Sequence, residues 1–218
     1  MFALKLLTIL KSTSENMHNE ILTGGQKEIL PLLPELSYEF GLVGGTAVAL
    51  YLGHRRSIDF DLFSQDEFDN EEIRSIIRKD FNIEKTFIEK PGELTILVNG
   101  VKITFFKYPF EINFDESFED IIKLPDLIIL ASMKAHSLGR RAKWKDYVDL
   151  FFIFKKYSLK QLTQKAKKIF KGEFNERLFR EQLAYFNDID YSESIDFMKG
   201  YETSDEEIKN SLIEVSLQ

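Results

Sequence analysis

The sequence contains no cysteine in 218 residues and only three histidines. Without thiols the chain can form no disulfide framework, no thiolate metal site and no cysteine nucleophile, which fits the reducing cytoplasm where we expect the protein. His18, His54 and His136 stand far apart, and none is spaced from another as a pair of metal ligands. A metal-dependent phosphohydrolase is therefore a weak interpretation of this chain.

Basic residues, at 29, are fewer than the 36 acidic ones, and long apolar runs are scarce. The formal net charge of −7 argues against a surface that wraps nucleic acid over its whole area, although a local basic site is compatible with it. Residues 1–10 are apolar with one lysine, but this run is too short to span a membrane and no cleavage signature follows it. We expect a first helix or an ordered arm there, and no membrane contact.

Apolar and aromatic side chains, in contrast, are plentiful. Hydrophobic residues make up 44% of the chain, and 20 residues are phenylalanine. A chain of this length and composition can bury a full core, so we expect one domain or one domain with a helical appendage. From residue 151 onward, apolar residues recur at three- and four-residue spacing, which predicts helices but includes no motif.

The stretch from residue 42 to residue 64 organises the chain. Gly44 and Gly45 interrupt an apolar run just before an alanine-rich segment, and this order predicts a tight turn that opens a helix. The backbone N–H groups of such a turn can receive phosphate oxygens, because the positive end of the helix dipole lies behind them. Thr46 can cap the helix or contact the anion.

Asp59 and Asp61 follow in the same stretch, between apolar residues that are typical of a buried strand. Residues two apart in a strand point to the same side, so the two carboxylates should lie side by side. Adjacent carboxylates repel each other unless a cation lies between them, and Mg²⁺ prefers a few carboxylate oxygens together with substrate phosphates. The pair is therefore predicted to hold Mg²⁺.

The segments that follow predict the rest of a sheet. A helix is expected over residues 67–80 and strands over 81–88 and 93–106, with Asn99-Gly100 as a two-residue hairpin turn. We expect these antiparallel strands to lie beside the Asp-x-Asp strand.

A second informative stretch runs from residue 124 to residue 150. Its first half predicts a helix that ends at Gly139 and carries Lys134 amid apolar residues. A lone lysine in such a helix is often a surface side chain with a buried stem, so Lys134 alone decides nothing. The charged residues that follow are Arg140, Arg141, Lys143 and Lys145, and then Asp146 and Asp149 at the start of the next amphipathic helix.

Together, the two stretches resemble the nucleotidyltransferase superfamily that includes DNA polymerase β. The order Gly-Gly-Thr-Ala-x-Ala-Leu, Arg-x-Ser-x-Asp-x-Asp-Leu-Phe and Lys-x₆-Arg-x₃-Lys-Asp-x-x-Asp-Leu is most similar to the AbiEii/AbiGii-type abortive-infection toxin branch. The resemblance covers roughly residues 42–150. It implies an α+β fold in which a mixed β-sheet is flanked by helices. We divide the chain into a nucleotidyltransferase-like core over residues 1–150 and a helical C-terminal subdomain over residues 151–218, packed on that core.

The resemblance also implies a Mg²⁺-dependent enzyme that moves a nucleoside monophosphate from an NTP to an acceptor, as the toxin of a toxin–antitoxin pair. The branch implies RNA as the acceptor, such as the tRNA 3′ end, and a cognate antitoxin as the protein partner. Carried over by position, the catalytic residues are Asp59, Asp61, Lys134 and Asp149. The nucleotide-binding residues are Gly44, Gly45, Thr46, Lys134 and Lys145. Lys145 and Asp149 are expected to brace the site as an i, i+4 pair.

One position departs from the superfamily pattern. The superfamily usually places a third carboxylate on a strand of the hairpin, whereas the alternation of side chains here leaves Thr104 in that place. A third acid helps to hold a second metal and to accept the proton of the attacking hydroxyl. Its absence argues against the standard two-metal mechanism and leaves open a non-catalytic nucleotide- or protein-binding module that retains the fold.

The basic segment is predicted to bind the acceptor. Arg140, Arg141 and Lys143 can contact RNA phosphates, and Trp144 among them can stack on an unpaired base, as single-stranded RNA sites do. The alternative interpretation is a solvated loop between two helices.

Overall fold

The computed structural model describes residues 17–138 and 140–218. The helix or arm predicted at residues 1–10 and the helix end predicted at Gly139 lie outside the described residues. In the part of the chain that is described, no helix is long and apolar enough to cross a membrane.

A mixed sheet of five strands forms the centre of the fold. The strands, in the spatial order β1-β2-β5-β4-β3, are β1 (Gly41–Val43), β2 (Phe60–Ser64), β3 (Ile83–Lys90), β4 (Glu93–Val98) and β5 (Val101–Lys107). A separate small hairpin consists of β6 (Glu116–Phe118) and β7 (Ile122–Leu124). β2 and β5 are parallel, and the other neighbouring pairs of the large sheet are antiparallel.

Helices flank this sheet. They are α1 (Gly24–Ile29), α2 (Leu33–Leu36), α3 (Gly44–Leu52), α4 (Asn70–Ile77), α5 (Leu127–Leu138), α6 (Trp144–Ile153), α7 (Leu159–Phe170), α8 (Glu176–Leu183) and α9 (Asp205–Ser216). The mixed sheet and its helices confirm the predicted α+β fold.

The predicted hairpin is present as β4 and β5. Asn99 and Gly100 have φ angles of 50° and 71°, the left-handed values that a two-residue hairpin turn requires. The hairpin strands β4 and β5 are antiparallel to each other, as predicted, whereas β5 runs parallel to β2, the strand that carries Asp61. The reason is the crossover through α4, which carries the chain from β2 to the far edge of the sheet at β3, so that the hairpin returns with β5 in the direction of β2.

Two almost completely buried helices support the site. α3 packs on β1, β2, α5 and α6, and α5 also packs on α6 and α7. Because apolar residues occur on all sides of α3 and α5, their neighbours can cover them on all sides. Four polar side chains on these helices are buried as well, and each must find a polar partner inside the fold: Thr46, Ser132, Lys134 and His136.

The C-terminal helices contact the two site helices. α7 and α8 pack on α5, and α9 packs on α6 and α8. Residue 150 lies inside α6, and the division of the chain into residues 1–150 and 151–218 stays a prediction.

Candidate active site

The turn between β1 and α3 depends on a glycine at one position. Gly44 has a φ of +72°, and a Cβ at this position would overlap the Asp61 carboxylate. The φ of Gly45 lies outside the left-handed region, and a Cβ added there would lie 2.9 Å from a terminal nitrogen of Arg55. Gly44 is therefore the residue of the pair that allows the backbone to approach Asp61 closely.

Thr46 does not cap α3. The residue before the helix is Val43, which has no polar side chain, and the Thr46 hydroxyl donates a hydrogen bond to the Asp59 carbonyl oxygen. The predicted cap is therefore wrong, because the buried Thr46 side chain ties the helix to the strand that carries the aspartates. The first N–H groups of α3 have no intrahelical acceptor, and the residue before the helix cannot cap them with its side chain.

The aspartate pair lies at the start of β2. Asp59 immediately precedes the strand, and Asp61 is its second residue. Burial raises the pKa of the Asp61 carboxyl, and the negative charge of Asp59 raises it further. Asp59 is paired with Lys102 of β5, at 2.7 Å between Nζ and Oδ2. Burial lowers the pKa of Lys102, but Asp59, with smaller contributions from Asp61 and Glu193, outweighs burial and raises it.

The strand next to the pair has no third acid. In the parallel pairing of β2 and β5, Asp61 stands opposite Thr104. Thr104 is opposite Thr95 on its other side, with 3.5 Å between the two hydroxyl oxygens. The register thus confirms the place that was predicted for Thr104.

The carboxylate oxygens of Asp59 and Asp61 are suitable ligands for one Mg²⁺ ion. Over residues 17–138 and 140–218, no group of three or more acidic or histidine side chains is arranged to hold a metal. Mg²⁺, however, usually takes one or two carboxylates and completes its octahedron with water and substrate phosphates. Burial and the neighbouring Asp59 charge raise the pKa of Asp61, and a cation bound between the two carboxylates would offset both effects.

A buried ion cluster adjoins the aspartate pair. Lys134 of α5 contacts Asp146 and Asp149 of α6, with its Nζ 2.6 Å and 2.5 Å from their carboxylate oxygens. Asp149 also accepts hydrogen bonds from Nε2 of His54 at 2.8 Å and from Nε of Arg55 at 2.7 Å. Lys134 is therefore not a surface side chain. We refer to these five residues as the ion cluster.

Charge and burial compete within the ion cluster. Burial alone would raise the pKa of the Asp149 carboxyl, but Arg55 and Lys134 together with the His54 hydrogen bond hold that pKa well below its usual value. The pKa of His54 is lowered, chiefly because burial disfavours its charged form. The cluster consequently consists of two carboxylates, two cations and a neutral imidazole, so its charges balance internally.

Lys145 does not pair with Asp149. Its ammonium group contacts Glu193, and so does that of Lys143. The predicted i, i+4 brace is wrong because the Asp149 carboxylate is already occupied by His54, Arg55 and Lys134.

The other members of the basic segment lie in different environments. Arg141 reaches Asp146 at 3.2 Å with about half of its side chain exposed, and Arg140 reaches Glu173 at 3.2 Å. Trp144 is buried, stacks on Tyr147 and donates its ring N–H to Asp205. The expectation that Trp144 stacks on an unpaired base is therefore wrong, because α9 and the segment before it cover the ring.

A cavity of about 280 Å³ brings both sequence stretches together. Its lining consists of Gly44, Asp61, Phe63, Leu130, Met133, Lys134, Ser137, Arg140 and Arg141. Five of these are predicted site residues, namely Gly44, Asp61, Lys134, Arg140 and Arg141. The predicted residues outside this lining are Gly45, Thr46, Asp59, Lys143, Lys145 and Asp149. The cavity thus joins a glycine turn at a helix N-terminus, a carboxylate and three cations around an apolar wall.

The family to which the chain belongs follows from comparison with known proteins. The family described as "Nucleotidyl transferase AbiEii toxin, Type IV TA system" matches residues 32–212. The chain belongs to this family. It is a nucleotidyltransferase toxin of the AbiEii type, and the resemblance seen in its motifs is confirmed.

Relatives of this AbiEii protein occur among curated proteins and solved structures. An uncharacterized protein of Aquifex aeolicus is 33% identical over 177 residues, which cover 75% of this chain and 82% of that protein. MenT4, a nucleotidyltransferase toxin from Mycobacterium tuberculosis, superposes with a TM-score of 0.56 at 15% identity, over 87% of this chain and 80% of its own. JHP933 from Helicobacter pylori superposes with a TM-score of 0.56 at 13% identity, over 92% of each chain. At these identities the two structures support the fold.

Several residues of the AbiEii site were not predicted. His54 and Arg55 lie in the connection between α3 and the aspartate strand, within a run of three basic residues that ends at Arg56. Such a run between apolar segments is a signal that some of its members have a buried partner. Asp146 could have been found in the same way, because apart from Lys145 and Asp149 the helix that carries it is apolar or aromatic. Glu193 has no such signal, because it belongs to an irregular segment without a motif.

Proposed function

We propose that this AbiEii protein transfers a nucleoside monophosphate from an NTP to an RNA, such as the tRNA 3′ end, with Mg²⁺ held by Asp59 and Asp61. The observation that carries the proposal is the cavity, where Gly44, Asp61 and Lys134 meet. A cognate antitoxin is the protein partner that we propose, and the cytoplasm is the compartment.

In this proposal the triphosphate lies against the N-terminus of α3. The helix has nine residues, Gly44 opens it, and the N–H groups of its first turn point toward an anion in that position. Lys134 lines the same cavity and offsets the remaining negative charge of the triphosphate, while Arg140 and Arg141, which also line it, contact phosphates of the RNA acceptor. Phe63, Leu130 and Met133 supply an apolar wall for the nucleobase.

The chemistry is an in-line displacement at the α-phosphorus. The acceptor hydroxyl gives its proton to solvent water as its oxygen forms the new bond to the α-phosphorus. The bond from that phosphorus to the oxygen that bridges the α- and β-phosphates breaks, and pyrophosphate leaves with this oxygen. Mg²⁺, when bound, supplies positive charge against the triphosphate. Asp59 and Asp61 hold the ion, and the ion cluster fixes Lys134 in position through Asp146 and Asp149. The role of Asp149 is to position Lys134 and Arg55.

The test is to incubate the protein with each α-³²P-labelled NTP, Mg²⁺ and total RNA. We expect label to enter RNA from at least one NTP, and we expect chelation by EDTA to abolish the transfer. Asp61→Asn should be inactive while Asp188→Asn, an exposed change of the same kind, should retain activity. Mg²⁺-dependent thermal stabilisation by NTP without any labelled RNA would favour the non-catalytic module instead.

A further inference from the structure

An irregular segment joins the two halves of the site. We call residues 184–204, between α8 and α9, the strap. Its backbone bonds to the loop before the aspartate strand, where the Arg56 N–H donates to the Asp196 carbonyl at 2.8 Å. It also bonds to the start of α6, where the Trp144 N–H donates to the Asp190 carbonyl at 3.1 Å. The strap is therefore fixed to both motif stretches at once.

Glu193 lies between these attachment points and contacts two lysines of the site. One carboxylate oxygen pairs with Lys143 and the other with Lys145. One negative charge thus faces two positive charges. All three side chains are partly exposed, with 41% of Glu193, 35% of Lys143 and 24% of Lys145 accessible. Ion pairs in contact with water contribute little net free energy, so another anion can replace this carboxylate.

The two attachments place the same carboxylate beside both halves of the site. Arg56 lies three residues before Asp59, and Trp144 lies two residues before Asp146 of the ion cluster. Glu193 and its two lysines therefore lie next to the elements where the phosphates are proposed to bind.

We propose that Glu193 is a displaceable counter-ion, which occupies Lys143 and Lys145 in the free enzyme and is replaced there by phosphate groups of a substrate. The inference rests on the proposed function, because it assumes that the phosphates enter this site. The chemistry is that of a phosphate anion, which can come from the triphosphate of the NTP or from the backbone of the RNA acceptor. In both cases substrate binding releases the carboxylate from the lysines.

The experiment compares anion binding by the wild type, Glu193→Gln and the control Asp188→Asn. Glutamine keeps the size of the side chain and removes its charge, and Asp188 is an exposed acid of the same strap. Two probes are titrated by calorimetry at several salt concentrations: inorganic tripolyphosphate and a single-stranded RNA oligonucleotide. Thermal unfolding of each variant checks that it is folded.

Glu193→Gln should bind one or both probes about tenfold more tightly than the wild type, with a steeper salt dependence, because two lysines are then free for phosphate. A gain for tripolyphosphate alone identifies the nucleotide as the source, and a gain for RNA alone identifies the acceptor. Adding Lys143→Ala and Lys145→Ala should remove the gain, whereas Asp188→Asn should show less than about a twofold change, as expected for an exposed charge screened by salt.

Equal or weaker binding of both probes by folded Glu193→Gln would overturn the proposal and leave Glu193 as a brace for the lysines. That result is independent of the transfer assay. If Glu193→Gln gains affinity while the wild type labels no RNA, the counter-ion role of Glu193 is supported and the proposed transfer function is rejected. If the wild type labels RNA while Glu193→Gln gains no affinity, the transfer function is supported and the counter-ion role is rejected.

Discussion

Gly44 is the single backbone position on which the close approach of α3 to Asp61 depends. The sequence predicts a turn at Gly44-Gly45 but cannot tell which glycine needs the left-handed conformation, because that depends on the distance to Asp61, seventeen residues after Gly44. The structure assigns it to Gly44, at a φ of +72°.

Gly44→Ala should therefore abolish nucleotide transfer. The new Cβ would meet the Asp61 carboxylate, and the left-handed conformation adds about 1–2 kcal/mol of strain. Transfer assays and urea unfolding measure the two effects. The matched control is Gly24→Ala, where the φ is ordinary and the added Cβ meets no described atom within 4 Å beyond its chain neighbours and its own helix backbone. Full activity in Gly44→Ala would contradict the role of this turn.

Asp149 is the residue on which the ion cluster depends. Asp149→Ala leaves His54, Arg55 and Lys134 without their shared buried carboxylate, so we expect a loss of about 3–5 kcal/mol in the free energy of unfolding. Denaturant unfolding measures this loss. For comparison, Glu181→Ala breaks an exposed pair with Arg177 and should cost less than about 1 kcal/mol. Equal costs for the two variants would show that the cluster contributes no more than a surface pair.

At the scale of elements, helices and hairpin turns can be predicted from neighbouring residues. The pairing of strands that lie far apart in the chain cannot. The helix expected over residues 67–80, which is α4, and the hairpin at Asn99-Gly100 follow from local signals, and both are confirmed. The parallel pairing of β5 with β2 is set by the crossover between them, which no local pattern encodes. Trp144 was misplaced for the same reason, because the elements that bury it lie more than forty residues later in the chain.

The connection between α5 and α6 is the element where RNA contact is predicted. Arg140→Ala with Arg141→Ala should weaken binding of a single-stranded RNA and flatten the log–log salt dependence by roughly 1.4, at about 0.7 for each lost phosphate contact. Calorimetric titration at several salt concentrations measures the slope. Lys160→Ala with Lys168→Ala, two exposed cations of α7, serves as the control. If both pairs of substitutions change the slope equally, the connection is a solvated loop and not the acceptor site.

For the molecule as a whole, stability should fall as the pH drops below about 6.5. Burial lowers the pKa of His54, and burial with the Arg140 charge lowers that of His136 to about 4. Both are neutral in the folded state, whereas an unfolded histidine binds a proton near pH 6.5. The unfolded state then holds more protons, and each histidine removes up to about 1.4 kcal/mol of stability per pH unit below that value.

Urea unfolding at pH 7.5, 6.5 and 5.5 measures this decline, and His54→Gln and His136→Gln should each flatten it. The Asp149 carboxyl acts in a separate window: its folded pKa lies below the usual 3.8, so its contribution is complete above that value and is lost only as the pH falls further. A midpoint that stays constant from pH 7.5 to pH 5.5 would contradict the neutral state of the two buried histidines.

Some residues of the assembled site can be predicted from sequence motifs, and one cannot. The motifs identify Gly44, Asp61 and Lys134, which the fold brings to one cavity although they come from two separate stretches. Glu193 enters the site from a segment with no motif, because its position is set by backbone bonds of the strap to both halves. A residue placed in this way can be found only once the chain is folded.

The measurement that tests the central claim most directly is calorimetric titration of NTP into the wild type and Asp61→Asn, each with Mg²⁺ and with EDTA. If Asp59 and Asp61 hold the ion at this cavity, Mg²⁺ should tighten NTP binding by the wild type about tenfold or more, and Asp61→Asn should lose that gain while staying folded. Asp61→Asn that keeps the full Mg²⁺-dependent affinity of the wild type would contradict the account.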